Sequence, residues 1–380
     1  MIRHLHTEVR SRFEVHLSSK VNLEDLEVHV VRQLKLLKFR DLSIDDPFFD
    51  SLKTGYDEFP EWFAKKANED LYAVIDDQTS ILSGMLYLKL ESGPVRDVMP
   101  HLPNRVWLKV GTLKVVGKGT KLGERILKKM FDVALAWGAE AIYVTVFEAH
   151  ARLVALFKEY GFTKAGTKTT KNGTEDVLVR SLTTFTGDRL KDYPFIHTSG
   201  KQAWLLAIYP NFHTRFLPDS ILRHEPTEMV QDVSHTNSIQ KVYIAKIALN
   251  RMKPGDIVVF YRTNDGKGKA FFRSVVTSIG VIEEVRSKKD FVNFAAFLAY
   301  TKPRSVFSEE ELRTKWDDSK RLYVAKMTYN VAFGKRTTRG RLIEDGIVSE
   351  QPRWDLRPLT SDQLQRILKL GEVNARIAVD

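Results

Sequence analysis

The sequence predicts a two-domain protein: a mixed α/β N-terminal half and a β-rich C-terminal half, an α+β / α/β fold class. Three observations carry this. The chain's 380 residues are about two to three times a typical single domain. Strand and helix periodicities alternate up to about residue 185, whereas short strand signals dominate beyond about residue 200. A composition of 43% hydrophobic and 28% charged residues fits a folded chain with real cores, and excludes collagen, coiled coil or bulk disorder.

In the first half, Asp46–Leu52 and Pro60–Asn68 read as helices whose Phe48, Phe49, Trp62 and Phe63 supply apolar faces. Leu71–Asp76 and Ile81–Leu90 read as strands around a polar turn, and Arg105–Val116 alternates apolar and basic residues as a half-buried strand does. Thr120–Trp137 carries a helical stripe of Leu122, Ile126, Leu127, Met130, Val133, Ala134 and Trp137, with Gly138 as its stop. The apolar strand Ala141–Phe147 and a helix Ala149–Tyr160 ending at Gly161 follow. Asn172-Gly173 marks a hairpin turn.

The polar, turn-rich stretch 186–200 reads as a linker. Beyond it come strands at Ala203–Tyr209, Lys241–Ala248, Ile257–Arg262, Phe271–Val285 and Leu322–Val331, with helices at Ser308–Lys315 and Thr360–Leu370. Ser308-x-x-Glu311 has the capping-box spacing. Such a run of short strands predicts a small β-barrel. The divisions expected are an N-terminal extension 1–34, a first domain 35–185, the linker, a second domain 201–345 and a helical tail 346–380.

Charge and cysteine content narrow the function classes. Lysine and arginine number 59 against 48 acids, a net charge of +11, which favours polyanionic partners. The chain has no cysteine, so a disulfide scaffold, a thiolate zinc site and a cysteine nucleophile are excluded. The longest apolar run, Phe291–Tyr300, is too short to span a bilayer, and the N-terminus lacks the apolar core of a secretory signal. A cytoplasmic location is therefore expected. The histidines, including His213, His224 and His235, show no ligand spacing, so no metal site is expected.

The most informative segment is Leu113–Leu127, a strand entering a glycine-rich turn that enters a helix. Free backbone N–H groups and the helix dipole at such a turn suit a phosphate. Gly117, Gly119 and Gly123 allow close approach, and Lys118, Thr120 and Lys121 add charge and a hydroxyl. Arg105–Met130 holds eight basic residues against one acid, Glu124, as suits a multiply phosphorylated cofactor. The same spacing also fits an ordinary loop with solvated lysines. P-loop and Rossmann fingerprints are absent: Leu122 stands where a third dinucleotide-binding glycine belongs.

Lys118-Gly119-Thr120-Lys121-Leu122-Gly123 resembles the pyrophosphate motif of the GNAT superfamily of acetyl-CoA-dependent N-acetyltransferases, with Lys118 at the arginine position and Lys121 replacing the central glycine. The order of elements and the Tyr160-Gly161-Phe162 ending are similar as well, over residues 35–185. The resemblance implies a mixed sheet with flanking helices, whose fourth and fifth strands splay around the pantetheine arm of acetyl-CoA. Main-chain groups of Leu113 to Val115 would bind that arm, and an amide near Leu113 would stabilise the oxyanion. Backbone amides across Lys118–Gly123 would hold the pyrophosphate, and Lys121 is accommodated there if its dihedrals are helical.

An alkylamine is mostly protonated at neutral pH, so amine acetylation calls for a base. The family's general acid is often a tyrosine seven residues after an asparagine. Here those positions are His150 and Phe157, so the usual acid is missing. Glu148 is the candidate base, and His150 and Tyr160 are the remaining acid candidates. Ordinary helix N-terminal polar roles for Glu148 and His150 fit equally. Packing accounts for most of the aromatic cluster around Phe48, Phe49, Phe59, Trp62 and Phe63.

Lys253-Pro254-Gly255-Asp256 feeding the strand Ile257–Arg262 resembles the PUA-like superfamily with its EVE and ASCH branches. That superfamily mostly binds RNA or modified bases, which implies a pocket of Trp204, Tyr209, Phe212, His213, Tyr261 and Arg262. Lys320–Arg341 adds basic residues, among them Arg336, Arg339 and Arg341, interleaved with Tyr323, Tyr329 and Phe333 and without an acid. This is the composition of a nucleic-acid footprint, and equally of a charge-protected edge strand. Together the resemblances imply an acetyltransferase whose PUA-like domain presents RNA or another nucleic acid; aminoacyl-tRNA amines, as for some toxins, are one form of that acceptor. A non-catalytic reader with a CoA-sensing scaffold, and an acetyltransferase for a small-molecule or protein amine, remain as alternatives.

Overall fold

A computed structural model describes residues 32–76, 79–116, 121–217, 220, 238–350 and 354–379. The first half is built on a seven-stranded sheet of β1 (Arg32–Lys38), β2 (Asp70–Asp76), β3 (Leu82–Val95), β4 (Leu102–Val115), β5 (Ala141–Val146), β6 (Thr163–Thr170) and β7 (Gly173–Ser181), in the order β1-β2-β3-β4-β5-β7-β6. β4 and β5 are parallel, and every other neighbouring pair is antiparallel. Side chains alternate across the sheet, so each face acquires its own core. Helices α1 (Asp50–Gly55) and α2 (Phe59–Lys65) bring Phe49, Phe59 and Phe63 onto Leu71, Ala73, Met85 and Tyr87. On the other face, α3 (Leu122–Ala136) and α4 (Ala151–Glu159) pack on Leu86, Leu108, Val110, Ile142 and Val144. Gly138 (φ +72°) and Gly161 (φ +83°) end the chain's helical turns in a conformation that favours glycine.

In the second half, β8 (Ile196–His197), β9 (Ala203–Ile208), β10 (Gln240–Ala245), β11 (Ile257–Arg262), β12 (Val275–Ser287), β13 (Tyr323–Thr338), β14 (Leu356–Leu359) and β15 (Ala378–Val379) alternate with α5 (Pro210–Phe216), α6 (Ala270–Arg273), α7 (Phe294–Thr301), α8 (Glu309–Asp317), α9 (Arg339–Glu344) and α10 (Ser361–Leu370). Six strands form one sheet, β10-β13-β12-β11-β9-β14. The expected barrel is not closed: among the described residues its two edge strands, β10 and β14, do not pair with each other. Two further readings change. Phe271 lies on α6 instead of beginning a strand, and the stretch read as a helical tail also supplies β14, paired with β9. Ser308 caps α8 with the reciprocal bonds its spacing predicted. No helix among the described residues is long and apolar enough to cross a membrane.

The two halves share an interior. Within 186–200, Asp192, Tyr193, Phe195 and Ile196 are buried. Tyr193 packs on Phe131 and Tyr160 at 5.5 and 5.9 Å, and its hydroxyl donates to the Tyr329 carbonyl at 3.0 Å. Asn330 Nδ2 donates to the Pro194 carbonyl at 3.0 Å, and β8 pairs with β15. The carboxylate of Asp192 collects the Thr186 and Gly187 amides and His197 Nε2.

His213 on α5 is fully buried, with Nε2 2.8 Å from Thr277 Oγ1. Burial, reinforced by Arg262 and Arg336, pushes its imidazole down to about 3 from the ordinary 6.5. Between those values the unfolded chain binds a proton that the folded chain does not, so stability falls as pH drops through that window. This one group is expected to remove about 1.4 kcal/mol per pH unit there. Urea unfolding at a series of pH values between neutral and acidic should show that slope in the wild type, and a shallower one in His213→Asn; identical slopes would exclude the assignment.

Candidate functional site

β4 and β5 run side by side only at Trp107–Val110 and Ala141–Val144. Past Val110, β4 continues to Val115 with β3 as its sole ladder partner among the described residues. The register against β3 shifts at this point, where Gly111 is the extra residue between Val110 (opposite Leu88) and Thr112 (opposite Tyr87). A bulge bends its strand, and here it bends β4 out of reach of β5. Glycine is required sterically: a Cβ at position 111 would lie 2.5 Å from Tyr87 Cδ1. The cleft therefore opens beside Leu113 and Val115, whose side chains pack into the α3/α4 core while their main chain borders the gap. Lys114 points to the opposite face. Its ammonium donates to the Phe48 carbonyl and to Ser51 Oγ (2.5 Å), lashing the α1 region to the splayed strand, and burial lowers its proton affinity although Asp50 opposes this.

Of the glycine-rich turn, Gly117, Lys118, Gly119 and Thr120 lie outside the described residues. Lys121 does not have the helical dihedrals that would accommodate it. It sits at φ 54°, ψ 10°, a left-handed conformation that costs a β-carbon-bearing residue about 1–2 kcal/mol, which explains a glycine in the GNAT pattern at this point. Its ammonium lies 2.5 Å from Glu124 Oε1. Leu122 is buried in the core, whereas Gly123 is half-buried on the first turn of α3, where a Cβ would lie 3.0 Å from Leu156 Cδ2.

The three catalytic candidates are not brought together. Glu148 and His150 are exposed beyond the end of β5, and the His150 side chain makes no cap to α4. Tyr160 stands at the other end of α4, roughly 15 Å further along at 1.5 Å per residue. It is fully buried against Tyr193 between the two halves, and burial holds its phenol well above the ordinary value. Tyr160 is thus a packing residue, remote from the cleft. Phe157 is buried against Phe162, centroids 4.8 Å apart.

The α1/α2 face of the cleft holds a group that periodicity did not single out. Tyr56, just after α1, donates its hydroxyl to Glu175 Oε1 at 2.9 Å and lies 5.7 Å, ring to ring, from Phe147 at the end of β5. Burial, with Glu175 beside it, raises the Tyr56 phenol well above its ordinary value, so the phenol stays protonated. Only the fold unites residues 119 positions apart.

In the second half, a cavity of about 490 Å³ lies against the edge strand β10, the end of β9 and the approach to β14. β9 and β10 contribute Ile208 and Tyr243, the approach to β14 adds Trp354, and Phe212, Tyr261 and Phe307 complete the apolar walls. Lys246, Lys315 and Arg339 add positive charge. Burial lowers the Lys315 ammonium; Glu311 opposes this and Lys246 adds to it. Arg339 stacks on Trp354 at 4.4 Å. Of the residues the sequence nominated, Tyr209, Phe212, Tyr261 and Arg339 line this cavity, and Tyr209 is 66% exposed. Trp204 does not. It is buried, its indole N–H donates to Asp256 Oδ2 at 2.8 Å and Arg251 covers its ring, so no base can stack there. Arg262 and His213 are buried, and Arg336 and Arg341 border a separate groove with Lys335 and Thr338. Trp354, Lys246 and Lys315 were missed because they come from three stretches with no local pattern in common. Among the described residues, no group of three or more His, Asp or Glu is placed to hold a metal ion.

Residues 224–370 match the EVE domain family. The first half has the splayed parallel pair β4–β5, followed by helix α3, that the GNAT resemblance implied, and residues 224–370 are the EVE-matching part of the chain. Similar solved structures include ASCH from Zymomonas mobilis, at 13% identity over 44% of this chain and 94% of that one (TM-score 0.31). Others are a spermidine N-acetyltransferase from Vibrio cholerae, at 15% identity over 39% and 92% (0.29), and an IAA acetyltransferase from Bacillus cereus, at 12% over 39% and 97% (0.30). No curated protein matches the chain.

If Gly111 is what lets Tyr87 lie across the bulge, Gly111→Ala should destabilise the protein by about 1–3 kcal/mol, as overpacking does. The same substitution in a Tyr87→Leu background should cost measurably less, and denaturant titration of the four proteins gives the coupling.

Proposed function

We propose that the protein is an acetyl-CoA-dependent N-acetyltransferase whose EVE domain recognises RNA or another nucleic acid that is, or carries, the acceptor. The observation that supports this reading most is the cleft beyond Val110, bordered by the main chain of Leu113–Val115, with the basic glycine-rich segment and α3 following next in the chain. A pantetheine arm would add hydrogen bonds along the free side of β4, much as a strand would. The pyrophosphate would meet the backbone of Lys118–Gly123 and the N-terminal end of α3. A thiolate leaving group has an ordinary pKa near 8.5 and needs little protonation, so the lack of a tyrosine at Phe157 is compatible with turnover. The EVE cavity would take one base between its aromatic walls, with Lys246 and Lys315 facing phosphate. The burial of Phe157 and Tyr160 favours one second reading, a reader in which the CoA site only senses cofactor.

Labelled acetyl-CoA incubated with the protein and with separate RNA, protein and metabolite fractions distinguishes these. Label in RNA supports the proposal; label only in another fraction reassigns the acceptor; tight CoA binding without transfer establishes the reader. Gly123→Glu should lower acetyl-CoA affinity at least tenfold in calorimetry, with a modest fall in melting temperature because Leu156 must shift. On the EVE side, Tyr209→Ala should weaken single-stranded RNA binding by about 1–3 kcal/mol without altering its salt dependence. Lys246→Ala with Lys315→Ala should flatten the slope of log affinity against log salt by up to about 1.4 units. Fluorescence anisotropy at a series of salt concentrations measures both.

A further inference from the structure

Glu175 raises a question that packing does not answer. It is only 6% exposed, yet among the described residues no lysine, arginine or histidine lies within ion-pair distance of it. Its hydrogen-bond partner is the neutral Tyr56 hydroxyl. The nearby cations are committed elsewhere: Lys168, its neighbour across the β6–β7 ladder, holds Asp97 at 2.6 Å, and Lys171 holds Glu58 at 3.2 Å. A buried carboxylate without a counter-ion is costly, and such a group in a cleft marks a place where a ligand supplies the charge.

Its position fits that role. Val146 pairs with Asp176 at the end of the β5–β7 ladder, so Glu175 and Phe147 come next, side by side where β4 has diverged from β5. Tyr56 closes the corner, with its ring against Phe147 and its hydroxyl on the carboxylate. A carboxylate beside a packed pair of aromatic rings suits a primary ammonium group, which can pair with the charge and lie near a ring. The face is that of α1 and α2, opposite the α3/α4 core, so an amine here would approach the cleft from the side away from the proposed cofactor turn.

On the acetyltransferase reading above, we propose that Glu175, with Tyr56 and Phe147, seats the ammonium group of the acceptor and accepts its proton. The acceptor enters as R–NH₃⁺, and Glu175 takes one proton to leave R–NH₂. The nitrogen lone pair forms the N–C bond to the thioester carbonyl, and the C–S bond breaks with its electron pair going to sulfur. The second N–H proton goes to the thiolate. The products are the amide and the CoA thiol, and Glu175 returns its proton to water. Tyr56 keeps the Glu175 carboxylate oriented throughout and is a positioning residue.

The test uses the full chain with benzylammonium as the cationic probe and benzyl alcohol as its uncharged counterpart. Wild-type protein should bind the ammonium, and Glu175→Gln should weaken that binding at least tenfold while leaving benzyl alcohol and acetyl-CoA affinities unchanged. Acetylation of benzylamine should fall about a hundredfold in Glu175→Gln, the effect of losing a general base. Tyr56→Phe keeps the carboxylate but removes the donor that orients it, so kcat for benzylamine should fall severalfold while KM and acetyl-CoA affinity hold. The other titratable groups facing the corner, Glu58, Lys168 and Lys171, are retained in both variants. Wild type that binds acetyl-CoA but not benzylammonium, or a Glu175→Gln variant with unaltered ammonium binding, overturns the seat alone. Wild type that does not bind acetyl-CoA overturns the acetyltransferase reading, and the seat with it.

Discussion

Helix α3 is buried almost all round, and both halves of the molecule are organised by that fact. Eleven of its fifteen residues are buried, including Glu124, Arg125 and Lys128, which an amphipathic surface helix would show to water. One face packs on the seven-stranded sheet, and the other is covered by the C-terminal half. Where the polar face is covered, partners replace water: Glu124 Oε2 accepts from the Gln240 amide at 3.4 Å, Lys128 bonds Asp132 at 2.9 Å and lies 5.0 Å over Tyr329. The helix that begins at the proposed cofactor turn is thus also the floor of the domain interface. The 186–200 segment threads between the same surfaces, with Tyr193 as its wedge.

Both candidate sites arise where a sheet fails to close on itself. In the N-terminal half, a single extra residue at Gly111 ends the β4–β5 ladder after four pairs and leaves a cleft. In the EVE half, β10 and β14 remain separate edges, and an aromatic cavity opens against β10, the end of β9 and the approach to β14. Interrupted ladders leave main-chain groups without partners, and such groups are expensive in a dry core. They persist where water or a ligand can satisfy them, which is why both openings face the surface.

Charge is divided in the same way. The surplus of +11 is not spread evenly in its consequences. Lys121 is held by Glu124 and Lys114 by the α1 region, so part of the basic character near the cleft serves structure. Around the EVE cavity, by contrast, burial and the neighbouring Lys246 lower the affinity of Lys315 for protons, an arrangement that an approaching anion relieves.

Local chemistry in the sequence determined the elements and their ends. The stripe from Leu122 to Ala134 made α3, the run Ala141–Val146 made β5, Asn172-Gly173 made the β6–β7 hairpin, and Ser308 with Glu311 capped α8. Each rests on contacts between residues a few positions apart, which periodicity and turn chemistry report directly. What depends on distant pairings was decided only by the tertiary structure. Trp204 looked like a stacking platform until Asp256 and Arg251 enclosed it, and Tyr160 looked like a catalytic acid until Tyr193 buried it. Trp137 completed the helical stripe in the sequence yet is exposed, whereas Arg125, on the polar side, is buried. Glu175 gave no sign at all, because an isolated acid in a strand has meaning only once Tyr56 and Phe147 have been brought to it. Periodicity states which face of an element is apolar; the burial of a polar residue, and its lack of a counter-charge, are properties of the neighbours that only the folded chain assembles.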